Sequence, residues 1–100
     1  MSTTSDPNDP DLRVIEDSGM QKSYLVLSDE ERAKGFVRPV RRTYIHDKCS
    51  TATTMGTALA ETYARDPHFY GATYCSYCGT HFPVGEHGQF AWEDGARVGT

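Results

Sequence analysis

The chain has 100 residues, 14 acidic and 10 basic, with a formal net charge of −4 and 11% aromatic residues. That length suits one small domain, whose core is marginal in stability unless a staple such as a metal ion assists it. No apolar run is long enough to span a bilayer, and the start of the chain lacks the charged and hydrophobic regions of a signal peptide, so a cytoplasmic protein with no membrane partner is expected.

The first stretch, residues 1–19, is rich in Ser, Asp, Pro and Asn and poor in large apolar side chains. It cannot offset its own ordering entropy and is expected to be a disordered acidic arm. Residues 20–94 would form the folded unit, and residues 95–100, polar and Gly-containing, a flexible tail.

Within that unit Tyr24-Leu25-Val26-Leu27 reads as a strand or anchoring segment. Ser28 with Glu31 three residues on has the form of a capping box for a short helix through Ala33, ended by Gly35. From Phe36 to Ile45 the β-branched and aromatic residues favour extended chain, with Pro39 marking an edge strand. Met55, Ala58, Leu59, Thr62 and Tyr63 recur at helical spacing, which predicts the main helix over about 54–65, capped by Thr53 or Thr54 and stopped by Asp66-Pro67. Phe69 to Tyr74 is again extended. A hairpin pairing His81–Val84 with Gln89–Trp92 is expected last, its turn supplied by Gly85 and Gly88.

The chemistry lies in three cysteines and one histidine. Cys75-Ser76-Tyr77-Cys78-Gly79 has the spacing that lets two sulfurs converge on one ion, and His46-Asp47-Lys48-Cys49 repeats it with imidazole in place of the first thiolate. Together they predict a tetrahedral Cys₃His site for structural Zn²⁺, held by His46, Cys49, Cys75 and Cys78, with no open position for a catalytic water. An odd cysteine count also fits a metal better than disulfides. His81 competes with His46 for the fourth position, because two residues also separate it from Cys78. His68 and His87 read as exposed loop residues.

Three further features bear on function. Residues 35–48 hold Arg38, Arg41, Arg42 and Lys48 against Asp47 alone, a local basic patch that would suit single-stranded nucleic acid, although the acidic remainder favours a solvated edge strand. Cys75 and Cys78 could instead act as a redox dithiol, but the pair precedes a glycine and a strand rather than opening a helix. No Ser-His-Asp order, phosphate-cradling loop or helical H-E-x-x-H motif is present, so an enzyme is not expected.

The stretch from Phe36 to Asp94, in particular Thr53-Thr54-Met55-Gly56 and Phe69-Tyr70-Gly71-Ala72-Thr73-Tyr74-Cys75, resembles small uncharacterised zinc-ribbon-like proteins of bacteriophages and prophages. The resemblance rests on the two half-sites, His46 with Cys49 and Cys75 with Cys78. It implies a phage accessory role such as binding a host protein.

The expected fold is therefore α+β: a small zinc-ribbon-like domain with one main helix between two zinc knuckles and a short antiparallel sheet. The expected function is that of a protein-interaction module. A nucleic-acid-binding ribbon using the Arg38–Lys48 patch and a dithiol redox protein are the alternatives. Exposed strand edges leave a homodimer open.

Overall fold

The computed structural model describes residues 2–100. In chain order its elements are β1 (Ser2–Thr4), a 3₁₀ turn (Pro10–Arg13), β2 (Ser23–Leu25), α1 (Asp29–Arg32), β3 (Thr43–His46), β4 (Ala52–Thr54), α2 (Thr57–Arg65), β5 (Ala72–Cys75), β6 (Thr80–Pro83) and β7 (Phe90–Trp92). The fold is small and α+β, as expected. Its strands form three small sheets: a central antiparallel β4-β3-β7, a β5-β6 hairpin and a parallel β1-β2 pair.

The central sheet is built on β3, whose β-branched and aromatic residues suit a strand paired on both sides. Tyr44 faces Thr53 on one neighbour and Trp92 on the other. Its ring meets Phe90 and Trp92 edge-on, at centroid distances of 5.3 and 6.2 Å, and Trp92 in turn meets Tyr63 of α2 at 5.6 Å. These rings and the apolar face of α2, with Leu59, Ala60 and Tyr63 buried, make the core. Rings of this size compensate for the short strands, because each buries a large apolar area. No helix among the described residues is long and apolar enough to cross a membrane.

Several expectations are corrected. The arm, of which Met1 lies outside the described residues, is ordered: β1 pairs with β2 in register Thr3 to Tyr24, and Asp9 caps the 3₁₀ turn by accepting from the Asp11 amide. Backbone pairing, rather than apolar burial, holds this polar segment in place. The extended region shrinks to Thr43–His46, since the loop before it is tied to the end of α2 by the Val37 and Arg38 amides, both donating to the Ala64 carbonyl.

The main helix begins at Thr57, three residues later than expected, behind Gly56 as its N-cap. Thr53 and Thr54 belong to β4, and their hydroxyls bond Ser76 and Thr43 instead of capping. The Ser28 cap does form, accepting from the Glu31 amide at 3.2 Å, but the Glu31 carboxylate turns to Lys34 and Arg65 rather than closing the box.

The expected hairpin between residues 81–84 and 89–92 is replaced by one hairpin and one long-range pairing. β6 pairs with β5, and β7 pairs with β3. The tail is not loose: Arg97 bridges to Ala91, and Val98 is fully buried in the core. The buried Val98 side chain fastens it together with backbone bonds, the Gly85 amide donating to the Val98 carbonyl, the Val98 amide to the Phe90 carbonyl and the Trp92 amide to the Ala96 carbonyl.

Candidate metal centre

Both cysteine segments are hairpin turns. β3 and β4 are joined by the loop that holds Cys49, with the His46 amide donating to the Thr51 carbonyl and Ser50 adopting a left-handed φ of 61° to close it. β5 and β6 are joined by the loop that holds Cys78, where the Gly79 amide donates to the Cys75 carbonyl. Each hairpin therefore offers one ligand from the end of its first strand, His46 or Cys75, and one from its turn, Cys49 or Cys78. Strand ends and tight turns hold side chains more rigidly than open loops do, which suits a metal centre.

The two turns meet. The imidazole Nδ1 of His46 lies 3.4 Å from Cys49 Sγ and 3.6 Å from Cys78 Sγ, and Cys49 Sγ lies 3.5 Å from Cys75 Sγ. All four ligand atoms fall within 4.8 Å of one another, close enough to hold a metal ion. His46 and Cys75 form the buried floor, Cys49 is half-buried and Cys78 exposed. An ion at this position would be reached from the Cys78 side.

The imidazole is held on every side. It is stacked between Phe82 and Phe90, with centroid distances of 4.4 and 4.8 Å and interplanar angles of 25° and 29°. Its Nε2 lies 2.8 Å from Gln89 Oε1. An amide oxygen only accepts, so Nε2 carries the proton and Nδ1 keeps its lone pair, directed at the sulfurs. This tautomer is the one that ligates through Nδ1.

The thiols influence one another. At Cys49 desolvation works to raise the pKa, but hydrogen bonds from the Thr51 backbone and side chain, and from Cys75 and His46, outweigh it and pull the thiol down to about 6. Cys78 is pushed up to about 11, by desolvation and then by its neighbours Cys75 and Cys49. The first thiolate forms readily and makes the last one costly. A cation among them removes that repulsion and lets all ionise together.

Other expected site residues lie elsewhere. His81 stands outside the cluster, with Nε2 2.9 Å from the Tyr24 hydroxyl, so His46 is the histidine brought to the sulfurs. His68 and His87 are exposed. Of the basic patch, Arg41 packs over Trp92 at 5.0 Å from the ring centroid and pairs with Asp94. Arg42 donates to the Met55 carbonyl and Arg38 to the Thr100 carbonyl, while Lys48 is exposed on the turn. Three of the four cations are thus bonded within the chain.

Gln89, Phe82 and Phe90 are the contributors that spacing alone does not mark as part of the site. Phe82 and Phe90 were legible only as apolar residues. A glutamine between two glycine-rich turns and a strand carries no signal until the pairing of His46 with Phe90 brings it beside the ring.

No protein-family model, curated protein or solved structure matches this chain.

Proposed function

We propose that this protein is a small zinc-binding interaction module in which a single Zn²⁺, held by His46, Cys49, Cys75 and Cys78, locks two hairpins together and so presents a surface to a protein partner. The observation that carries the reading is the convergence of the four ligand atoms from two hairpin turns. Tetrahedral zinc, with bonds of about 2.3 Å to sulfur and about 2.0 Å to nitrogen, sets sulfur–sulfur edges of about 3.8 Å and sulfur–nitrogen edges of about 3.5 Å. The contacts of 3.4, 3.5 and 3.6 Å lie close to those edges. A thiolate-rich set of this kind prefers zinc to harder ions, and four protein ligands make the role structural.

On this reading the two hairpins form a zinc-ribbon-like pair, a reading supported by the position of each ligand pair at the tip of a hairpin. The binding role is supported by the loop before β3, where Phe36, Val37 and Val40 are 44, 56 and 43% exposed within five residues. Apolar side chains grouped this way on a small protein favour contact with another protein. The arginines that would serve nucleic acid are bonded within the chain, Arg41 with Trp92 and Asp94, Arg38 and Arg42 with backbone carbonyls.

The test pairs metal with partner. Zinc-loaded protein is used to capture partners from a lysate of its host, beside Val37→Asp and Val40→Asp variants and a chelated sample. A partner retained by the loaded wild type, and lost both with chelation and with the two substitutions, supports the reading. Capture that is indifferent to zinc and to the loop contradicts it, as does saturable, salt-sensitive oligonucleotide binding that takes the place of a protein partner.

A further inference from the structure

The four ligand side chains do not share one environment. His46 and Cys75 are buried and Cys49 is half-buried, but Cys78 is exposed in the turn between β5 and β6. Ser76 and Tyr77 beside it are exposed as well, Tyr77 at 75%, so the turn is open to solvent on that side. A small dissolved molecule reaches the Cys78 sulfur before it reaches any other ligand.

A second sulfur stands directly behind the first. The Cys78 amide lies 3.5 Å from Cys75 Sγ, which places the Cys75 sulfur against the Cys78 backbone within the same turn. The two sulfurs are within 4.8 Å of one another, and two residues separate them in sequence. From there a disulfide bond of about 2 Å is reached by side-chain rotation and a small shift of the turn. Cys49, by contrast, belongs to the other hairpin, so a bond to it would join the two turns.

A coordinating thiol is held as the thiolate, and the thiolate is the form that peroxides oxidise. Accessibility and a neighbouring sulfur able to resolve the first product are the features that make such a thiolate a reversible oxidation site. Cys78 has both.

We propose that Cys78 is a site of reversible oxidation by hydrogen peroxide, resolved by Cys75, and that the reaction opens the metal centre. The proposal rests on Zn²⁺ being held as described above. The Cys78 sulfur attacks one peroxide oxygen: the S–O bond forms, the O–O bond breaks and hydroxide leaves. The Cys75 thiolate then attacks the Cys78 sulfur, so that the S–S bond forms, the S–O bond breaks and a second hydroxide leaves. Two protons from solvent convert the hydroxides to water. The two sulfurs together lose two electrons, and the peroxide gains them. His46 and Cys49 alone then remain to hold the ion, and both stand on the β3–β4 hairpin. The β5–β6 hairpin has given up both of its ligands, and the junction between the hairpins is undone.

The test begins with native mass spectrometry of protein purified under reducing conditions, which gives its zinc content. Hydrogen peroxide is then added in slight excess, released zinc is followed with a chromophoric chelator, and the remaining thiols are alkylated before digestion with trypsin. Cleavage after Lys48, Arg65 and Arg97 separates Cys49, on residues 49–65, from Cys75 and Cys78, on residues 66–97. The expected result is loss of the ion in step with two thiols, the 66–97 peptide lighter by two hydrogens, and Cys49 alkylated. Dithiothreitol with added zinc should restore the loaded mass. Cys78→His, which keeps a ligand at that position without a sulfur, should retain its zinc under the same treatment, and the wild-type peptide map decides the matter if that variant fails to fold. A loaded chain that keeps its ion and its three thiols in peroxide would overturn the proposal and leave the metal site standing. A link between the 49–65 and 66–97 peptides, or further oxidation of Cys78 without a disulfide, would also overturn it. A folded chain free of zinc from the start would overturn the proposed function along with it.

Discussion

Gln89 holds His46 by its far nitrogen, Oε1 to Nε2 at 2.8 Å, and thereby leaves Nδ1 free at 3.4 Å from Cys49 Sγ. Removing that acceptor releases the ring tautomer. Gln89→Ala should lower metal affinity about 10- to 100-fold, the loss that outer-shell partners of ligating histidines commonly carry. Gln89→Glu keeps an acceptor and should stay within a few-fold of wild type. Competition with a chromophoric chelator measures both. Equal affinity in Gln89→Ala would show that the stacking of Phe82 and Phe90 alone orients the imidazole.

The N-terminal segment is seated on the second hairpin at a single tight point. Gly19, at φ 90°, lies so close to Gly79 that a Cβ there would stand 1.8 Å from its carbonyl oxygen. Gly19→Ala should destabilise the fold by about 3 kcal/mol, since both the left-handed backbone and the contact forbid it. Gly71→Ala is the control, because a Cβ there meets nothing within 4 Å. Urea denaturation of both variants decides the matter: equal stability would mean that the arm does not pack against the knuckle.

Val98 reports on the last residues of the chain in the same way. It is fully buried beneath a segment otherwise polar, and Arg97 next to it pairs with Asp47 at 2.7 Å and donates to the Gly88 carbonyl. Val98→Ala should cost about 2 kcal/mol, the order expected for deleting most of a buried aliphatic side chain. Arg97→Ala should cost less, as its ion pair is half-exposed and screened by solvent. A neutral Val98→Ala variant would return residues 95–100 to a loose tail.

Alkaline pH gives a signed prediction. Desolvation pushes the Tyr44 hydroxyl up to about 12 in the fold, and raises Tyr63 and Tyr70 as well. In the unfolded chain a tyrosine ionises near 10. The folded state therefore holds these protons more tightly. The stability this confers is complete below about pH 10 and is lost as pH rises through about 12. Denaturation curves at about pH 9 and about pH 11.5 should differ accordingly, and Tyr44→Phe should reduce the difference.

What the sequence made legible was local. The ligands stand at fixed spacings within two short segments, the helix announces itself by the recurrence of Leu59, Thr62 and Tyr63, and Ser28 marks its own cap. Strand pairing was not legible, because it joins residues far apart: β7 could have turned back on β6, but Phe90 stacks on His46 and Trp92 packs against Tyr44 and Tyr63, so β7 joins β3. The contacts of the arm and tail were not legible for one reason. Their composition is polar, yet a few backbone bonds, Gly19 against Gly79 and one buried valine suffice to seat them.

The central claim is that a zinc ion joins the two hairpins through His46, Cys49, Cys75 and Cys78. Native mass spectrometry of protein purified under reducing conditions tests it most directly. The expected result is a compact charge-state distribution with one zinc per chain, and Cys75→Ser yielding metal-free chains in the broad distribution of an unfolded polypeptide. A compact wild-type chain at the mass of the bare polypeptide would contradict it.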